Sequence, residues 1–393
     1  MNIPVIVDAL RTPTGRGKPG GSLSSVHPTD LLAQVLAALV ERNTLDAGRI
    51  DDVIIGCVSQ SGEQSATPGR MAVLAAGFPS HVPATTIDRK CGSSQQAVHF
   101  AAQGIMAGAY DIVIAGGVES MSRVPMGSAR MGADPFGPMV TKRFAPGLVS
   151  QGIAAELVAA KWGLTRTDCD TFAARSQGLA AEAQRSGAFD AEILPVRTPD
   201  GTTVAHDEVI RASTTVDGLA QLKPSFEDAS IKERFQQIDW QVTAGNSSQI
   251  TDGAAALLMM SEKTALRLGL RPRARVVGFD VYGDDPLLML TAPIPSTRRI
   301  LERTGLTIDQ MDHVEVNEAF APVPLAWHRE IGGDFARLNP RGGAIALGHP
   351  LGASGARIMT TMLYALEQNG GRFGLQTMCE AGGMANATII ERL

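Results

Sequence analysis

The chain has 393 residues, of which 44% are hydrophobic and 19% charged, and its net charge at pH 7 is −5. This composition excludes a disordered chain, and the length suits two or three units of ordinary domain size. The acidic balance gives no basic surface for nucleic acid, and no apolar run reaches the roughly 18 residues that a membrane span needs.

The N-terminal segment MNIPVIVDALRTPTGRG combines a short apolar run with charged residues, which predicts a first strand rather than a signal peptide. The four cysteines are far apart in sequence, and no Cys-x-x-Cys or His-x-x-x-His pair occurs. This spacing favours neither a disulfide framework nor a zinc site. We therefore expect a cytoplasmic protein with reduced thiols and no structural metal.

Two segments of the chain are similar to each other. LVERNTLDAGRIDDVIIG (residues 39–56) and ILERTGLTIDQMDHVEVN (residues 300–317) align without gaps, 261 residues apart, and Glu41 matches Glu302. Each copy predicts a helix end, a short connection and a buried strand, because amphipathic spacing gives way to a short β-branched run. The repeat predicts two copies of one α/β unit with mostly buried sheets.

The same spacing aligns further elements. It sets Cys91 opposite Gly352, so that KCGSSQQAVHF overlies LGASGARIMTT, and each segment predicts a small-residue turn leading into a helix. The strands in YDIVIAGG and RFGLQTMCEAGG both end in Gly-Gly. We expect the matching turns of the two copies to face each other.

Residues 120–248 have no counterpart in the repeat and form an insertion rich in Met, Arg and polar residues. Within it, DCDTFAARSQGLAAEAQRSG predicts a helix capped by Asp168 or Asp170 at its start and by Gly187 after its end. Long insertions of this kind often carry ligand contacts.

Cys91 and His349 are the first candidates for chemistry. Cys91 precedes a predicted helix, whose N-terminal N–H groups would stabilise a thiolate, although a small buried core cysteine is the alternative. His349 lies in the Gly-rich stretch GGAIALGHPLGASGAR, where a satisfied core histidine is the alternative. The repeat places its turn opposite that of Cys91, and a thiol beside an imidazole is an activated nucleophile.

Two further segments carry candidate residues. Asn317 and Glu318 end a predicted buried strand in VEVNEAFA, where they either satisfy each other or orient a ligand, an imidazole or a water molecule. Cys379 in TMCEAGGM is a second thiol at a strand end, with a packed core cysteine as the alternative. We interpret Cys57 and Cys169 as packing or surface residues.

Several motifs are spread over essentially the whole chain: CGSSQQA, GGVESMS, TAGNSSQITDGAAA, NEAFA and GGAIALGHPLGASGAR, with Arg-Thr-Pro near the start. Taken together, they resemble the thiolase family. The resemblance implies an α/β thiolase-like fold with two duplicated halves, buried mixed sheets and an inserted loop domain. We assign the N-terminal half to residues 1–119, completed by 249–270, the CoA-contacting loop domain to 120–248 and the C-terminal half to 271–393.

The resemblance also implies roles for individual residues. Cys91 corresponds to the nucleophile that takes the acyl group, and His349 to the histidine that activates it and helps to hold the thioester oxyanion. Cys379 corresponds to the second cysteine, which moves the α-carbon proton, and Asn317 to the anchor of an oxyanion-hole water. The backbone N–H groups of Cys91 and Ala381 would form the other oxyanion hole.

Ser248 and Arg211 resemble positions that contact CoA in the family, with a turn serine and a solvated arginine as the alternatives. The chain also departs from the family in two places. Glu380 and Ala381 follow the second cysteine where relatives often have glycines, so the hole survives only if Ala381 needs no positive φ. Gln151 replaces a methionine that shapes the acyl pocket in relatives.

The resemblance implies a CoA-dependent acyltransferase that thiolyses 3-ketoacyl-CoA to acetyl-CoA and a shortened acyl-CoA through acyl-Cys91, or runs the reverse Claisen condensation. It implies CoA as co-substrate, no permanently bound cofactor, and a homodimer or homotetramer acting in lipid metabolism, as in fatty acid β-oxidation. The Met-rich insertion and Gln151 favour a degradative enzyme that accepts bulky or ring-derived acyl groups.

Three alternatives remain at this point. The first is a biosynthetic acetoacetyl-CoA thiolase, which would use the same residues. The second is a condensing enzyme of the ketoacyl-synthase kind, against which Cys379 and NEAFA argue. The third is a catalytically silent thiolase-like protein that binds acyl-CoA.

Overall fold

Strands and helices alternate through residues 2–393, the part of the chain that the computed structural model describes. The strands are β1 (Pro4–Arg11), β2 (Gly15–Arg16), β3 (Asp52–Gly56), β4 (Ala84–Ile87), β5 (Ile112–Ser120), β6 (Val196–Arg197), β7 (Thr203–Val204), β8 (Thr251–Ser261), β9 (Ala274–Gly283), β10 (His313–Val316), β11 (Phe373–Glu380) and β12 (Met384–Arg392). The helices are α1 (Pro28–Arg42), α2 (Pro68–Ala75), α3 (Ser93–Ala107), α4 (Gly137–Arg143), α5 (Gln151–Lys161), α6 (Arg166–Arg185), α7 (Val216–Ala220), α8 (Ala229–Arg234), α9 (Glu262–Arg267), α10 (Pro293–Thr304), α11 (Pro322–Ile331), α12 (Ala344–Leu347) and α13 (Ser354–Asn369). Among these residues, no helix combines the length and the apolar character that crossing a membrane requires.

The large sheet displays the duplication directly. Its order is β10-β11-β12-β9-β1-β8-β5-β3-β4, with β2 paired to β8. The order β10-β11-β12-β9 repeats the order β3-β5-β8-β1, and in both copies the first pair is parallel and the next two are antiparallel. β10 begins at His313 and β3 at Asp52, while α13 begins at Ser354 and α3 at Ser93. The predicted α/β fold with two duplicated halves is confirmed.

The two halves join between β1 and β9, where Val5 pairs with Arg275 and Ile6 with Ala274. The mixed sheets of the two copies are therefore continuous across this join. The sequence pattern identifies strands and their buried faces. Which strand of the other half lies beside β1 is set by tertiary packing instead.

The faces of β8 separate two layers of the core. Ala254, Ala256 and Leu258 pack towards α1 and α2, while Ala255 and Leu257 pack towards α3 and α13. This alternation is the two-residue period of a strand that is buried on both faces. α5, α6, α10 and α11 contribute to the core that includes β10, β11 and β12.

Helix α6 begins earlier than the sequence analysis predicted. Its N-cap is Thr165, whose hydroxyl accepts from the N–H of Asp168 while the Asp168 carboxylate accepts from the N–H of Thr165. Asp168 thus completes a capping box rather than capping the helix itself, and Asp170 pairs with Arg166. Gly187 follows the helix end at φ +75°, as predicted.

The matching turns of the two copies meet at the end of β3. A Cβ atom added to Gly56 would lie 2.4 Å from the backbone nitrogen of Ser94 and 2.8 Å from the carbonyl oxygen of Gly352. Only glycine permits this approach between the start of α3 and the turn before α13. The fold therefore brings the Cys91 segment and the His349 segment together.

Candidate active site

Cys91 lies between β4 and α3, directly before the N-cap residue Gly92. The preceding residue, Lys90, has φ +49°, which turns the chain sharply into the helix. The thiol is buried, and this burial raises its pKa, with further increases from negative charge on Cys379 or Glu380. The resting form is therefore the neutral thiol, contrary to the expectation that the helix N-terminus alone would stabilise a thiolate.

His349 follows α12 and is held at both its backbone and its ring. Its N–H donates to the carbonyl oxygen of Gln249 at 2.9 Å, and its Nδ1 lies 2.6 Å from the hydroxyl of Ser354. That hydroxyl donates to the carbonyl oxygen of Pro350 at 2.9 Å, so the hydrogen between Ser354 and His349 belongs to Nδ1. Nε2 then has its lone pair free to accept a proton, and it is buried without a hydrogen-bond partner.

The charge state of His349 follows from its surroundings. Burial, together with the positive charge of Arg357, lowers the pKa of His349 to about 3. The ring is therefore neutral at physiological pH and can act as a base.

Cys379 and Asn317 lie together at the carboxyl ends of the parallel strands β11 and β10. The backbone N–H of Asn317 donates to the carbonyl oxygen of Thr377 at 3.1 Å, and its Nδ2 donates to the Cys379 sulfur at 3.7 Å. Burial raises the pKa of Cys379 to about 12, and the Asn317 hydrogen bond opposes this increase. The Oδ1 atom of Asn317 has no partner.

Glu318 and Asn317 do not satisfy each other, so the first of the two alternatives for this pair is wrong, and the partners of Glu318 are other protein groups. Its carboxylate accepts from the Ser176 hydroxyl at 2.6 Å, the Asn339 amide at 2.8 Å and the Ile345 N–H at 3.1 Å. Glu318 thereby ties the end of β10 to α6 and to α12, the helix that precedes His349.

A buried cluster that contains Cys91, Leu351 and Met378 marks the convergence of these segments. It joins the start of α3, the turn after His349 and the end of β11. Because His349 Nε2 has no partner, Cys91 and His349 form no hydrogen bond in this structure. Hydrogen bonds of this kind often tighten only when substrate is bound.

Ala381 meets the condition that the sequence analysis set for it. Its φ is not positive, whereas Gly382 and Gly383 have φ of +95° and +80°. The left-handed positions that require glycine are therefore occupied by glycine. The alanine causes no backbone strain beside Cys379.

Ser248 and Arg211 differ in their relation to the site. The N–H of Ser248 donates to the carbonyl oxygen of Ala319, two residues beyond Asn317, so Ser248 borders the site. The Arg211 side chain is exposed, and its backbone N–H donates to the Gln177 side chain at 2.7 Å.

Gln151 is the first residue of α5, and its amide nitrogen lies 3.8 Å from the sulfur of Met126. The next residue, Gly152, lies against the ring of Phe226, where an added Cβ would come within 2.3 Å of Cε1. Gln151 therefore contacts Met126, which belongs to the same insertion. Cys57 and Cys169 are buried packing residues.

Glu119 is a structural residue that the sequence analysis did not single out, although it lies within GGVESMS. It accepts from the N–H groups of Val58, Ser59 and Gly352 and from the Gln64 amide, at 2.9 to 3.0 Å. It thereby joins the loop after β3 to the turn after His349.

Ser354 was also missed in the sequence. The one feature that could have indicated it was a hydroxyl residue at the start of the helix that follows His349.

Among residues 2–393, no group of three or more His, Cys, Asp or Glu side chains is arranged to hold a metal ion.

The thiolase N-terminal domain matches residues 4–263 of the chain, and the thiolase C-terminal domain matches residues 270–392. The chain belongs to the thiolase family. It is an acyltransferase of this family, which uses CoA as co-substrate.

Several named thiolases are similar to this one. It is 46% identical to the steroid 3-ketoacyl-CoA thiolase FadA6 of Mycobacterium tuberculosis, over 99% of this chain and 94% of that protein. It is 45% identical to a beta-ketoadipyl-CoA thiolase of Acinetobacter baylyi and to a 3-ketoacyl-CoA thiolase of Klebsiella pneumoniae, over 99% of each chain. The crystal structure of the Bacillus anthracis acetyl-CoA acetyltransferase matches with a TM-score of 0.89 and 36% identity, over 100% of this chain and 99% of that one.

Proposed function

We propose that this thiolase cleaves 3-ketoacyl-CoA by a ping-pong mechanism in which Cys91 carries the acyl group and Cys379 moves the proton. The observation that carries the proposal is the convergence of two buried thiols with different surroundings. Cys379 accepts a hydrogen bond from Asn317, whereas Cys91 lies at the start of α3, beside the turn that follows His349.

In the first half-reaction, His349 Nε2 takes the proton of Cys91, and the resulting thiolate attacks the 3-keto carbon. The bond between the α and β carbons then breaks, and its electron pair passes to the enolate of acetyl-CoA. Cys379 protonates this enolate, so acetyl-CoA leaves, Cys91 holds the shortened acyl group and Cys379 becomes a thiolate.

In the second half-reaction, the Cys379 thiolate takes the proton of an incoming CoA thiol. The CoA sulfur attacks the acyl-Cys91 thioester, and the Cys91 thiolate that leaves regains its proton from His349. Both thiols return to their neutral form, which matches the raised pKa of each in the free enzyme.

The oxyanions of both half-reactions need hydrogen-bond donors. We assign the hole for the alkoxide on the acyl group to the backbone N–H groups of Cys91 and Ala381, which the unstrained φ of Ala381 supports. We assign the hole for the thioester oxygen of acetyl-CoA to His349 and to a water anchored by Asn317. The unpartnered Oδ1 of Asn317 offers an acceptor for that water.

The preferred substrates in this proposal are bulky or ring-derived 3-ketoacyl-CoA thioesters that arise in degradation. Gln151 lies against Met126 in an insertion loop that also exposes Met131, Phe136 and Met139. Unbranched methionine side chains adapt to irregular apolar ligands. The name of the steroid 3-ketoacyl-CoA thiolase relative agrees with this substrate class.

We also retain the remaining expectations of the sequence analysis as proposals. Residues 120–248 form the loop domain that contacts CoA, with Ser248 and Arg211 at the CoA site, between halves formed by 1–119 with 249–270 and by 271–393. The enzyme acts in the cytoplasm, in lipid breakdown such as β-oxidation. It is a homodimer or homotetramer and holds no permanently bound cofactor.

The test is steady-state thiolysis of acetoacetyl, medium-chain, long-chain and ring-derived 3-ketoacyl-CoA by the wild type, Cys91→Ala and Cys379→Ala. Cys169→Ala is the matched control, because it removes a buried thiol outside the site. We expect the ring-derived substrate to give the highest kcat/KM. The kcat/KM of both site variants should fall by about 1,000-fold or more, whereas the control should keep the wild-type rate.

Other outcomes would favour the alternatives. Acetoacetyl-CoA as the best substrate would favour the biosynthetic thiolase. Cleavage of none of the substrates would favour a silent acyl-CoA-binding protein, and an unchanged rate in Cys91→Ala would refute the assigned nucleophile.

A further inference from the structure

Glu380 is a buried carboxyl group that the proposed mechanism does not use. It is the last residue of β11, directly after Cys379, and its exposed fraction is 0%. Neither of its two carboxyl oxygens has a hydrogen-bond partner. A carboxylate in this state would be expensive, because a buried charge needs donors or a counter-ion.

The side chain of Glu380 reaches the start of α3. A Cβ atom added to Gly92 would lie 1.8 Å from Glu380 Oε1 and 2.8 Å from Asn386 Oδ1. Both acceptor oxygens therefore lie close to Gly92, the residue directly after Cys91. The Asn386 amide nitrogen already donates to Gln96 and faces His99, so its Oδ1 is the end that lacks a partner.

A hydrogen bond between two acceptor oxygens requires a hydrogen on one of them, and an ionised Glu380 has none to give. The titratable and charged groups around these oxygens are Cys379 on β11, Cys91, Arg89 and Asp88 before α3, and His99 on α3. Burial lowers the pKa of His99 to about 3, so His99 supplies no positive charge. Burial raises the pKa of Glu380 well above its ordinary range, and Arg89 only partly opposes this.

We propose that Glu380 is a positioning residue that stays an uncharged carboxylic acid, donates its hydrogen to Asn386 Oδ1 and leaves the negative charge of the site to the two thiols. An ionised Glu380 would instead raise the pKa of both Cys91 and Cys379 and suppress the thiolates. The benefit to catalysis rests on the proposed two-thiol mechanism, whereas the protonation of Glu380 does not.

Infrared difference spectroscopy tests the protonation directly. Spectra of the wild type minus Glu380→Gln at pH 7.5 should contain the band of a protonated carboxyl group, which moves in heavy water. Carboxylate bands in its place would overturn the proposal. Glu380→Asp keeps a carboxyl group and covers the case in which Glu380→Gln does not fold, because it should shift the same band. The band should also persist when Cys91 is replaced by alanine in both samples.

Alkylation of Cys91 by iodoacetamide tests the effect on the thiols. It is measured from pH 7.5 to pH 10 in a Cys379→Ala parent, with and without Glu380→Gln. The matched control is Glu391→Gln, which removes a carboxylate that pairs with Arg372 beyond the far end of the same strand pair. The rate ratio of Glu380→Gln to the parent should stay near 1 at pH 7.5, as for the control, because neither side chain at position 380 is charged there. Any rise in the ratio at higher pH should be confined to Glu380→Gln and absent from the control.

One result would overturn the proposal. A ratio of 10 or more already at pH 7.5 would mean that Glu380 is charged at neutral pH, since tenfold corresponds to one unit of thiol pKa. Absence of any Cys91 labelling would count against the proposed nucleophile, and the infrared band would still report on Glu380.

Discussion

The hydroxyl of Ser354 lies 2.6 Å from Nδ1 of His349 and donates its own hydrogen to the carbonyl oxygen of Pro350. This pair of contacts fixes the imidazole tautomer, with the hydrogen on Nδ1 and the lone pair on Nε2. Ser354, the first residue of α13, therefore leaves Nε2 able to accept a proton, which is the step that we propose for His349.

Replacing Ser354 by alanine should lower kcat/KM for thiolysis by about 10- to 100-fold, because the ring loses its fixed tautomer and orientation. Thr360→Ala is the control, since it removes a buried hydroxyl that bonds to Ala356 on the same helix. Steady-state kinetics with folded protein, followed over pH, measures the effect. Equal rates in the two variants would contradict the role of Ser354.

Replacing Asn317 by alanine should slow the step that we assign to Cys379. The variant loses the donor to the Cys379 sulfur and the anchor of the oxyanion water. We expect exchange of the acetyl-CoA methyl protons in heavy water, followed by NMR, to fall at least 10-fold. Exchange at the wild-type rate would show that Asn317 supports neither group.

Replacing Glu119 by glutamine should destabilise the fold by about 1 to 3 kcal/mol, because an amide nitrogen then faces backbone donors. Glu63→Gln is the control, since its exposed ion pair with Arg123 contributes at most about 1 kcal/mol. Denaturant unfolding measures both variants. An unaltered midpoint in Glu119→Gln would mean that the loop after β3 and the turn of Gly352 are held by other contacts.

His99 should make the stability of the enzyme depend on pH. Burial lowers its folded-state pKa to about 3, while an unfolded histidine titrates near 6.5, so the unfolded chain binds the additional proton. From pH 7.5 to pH 5 this residue should reduce the free energy of unfolding by about 2 kcal/mol. The total loss should be about 2 kcal/mol smaller in His99→Gln, which keeps the similar loss from the buried His349. Parallel pH profiles of the two proteins would contradict the assignment.

The repeat in the sequence predicted more of the fold than any single motif. A spacing of 261 residues relates Asp52 to His313 and Ser93 to Ser354, and these residues begin matching strands and helices. Such a pattern is visible because local sequence encodes each copy twice. The join between β1 and β9 left no such signal, since the paired residues Val5 and Arg275 are far apart in sequence.

The sequence predicted the family of the chain more completely than it predicted the chemistry of the site. Motif resemblance identified Cys91, His349, Cys379 and Asn317, and their roles remain predictions. The position of Cys91 before a helix predicted a thiolate, but burial, which is a tertiary property, raises the pKa of the thiol and outweighs the helix terminus. The hydrogen-bond partners of Ser354 and Glu119 were missed because they, too, are set by the tertiary structure.

The central claim is that Cys91 carries the acyl group and Cys379 does not. Its most direct measurement is peptide mass spectrometry after the enzyme is mixed with acetoacetyl-CoA in the absence of free CoA and quenched with acid. We predict one acetyl group on the peptide that contains Cys91 in the wild type, and none in Cys91→Ala. An acetyl group on Cys379, or one that persists in Cys91→Ala, would contradict the account.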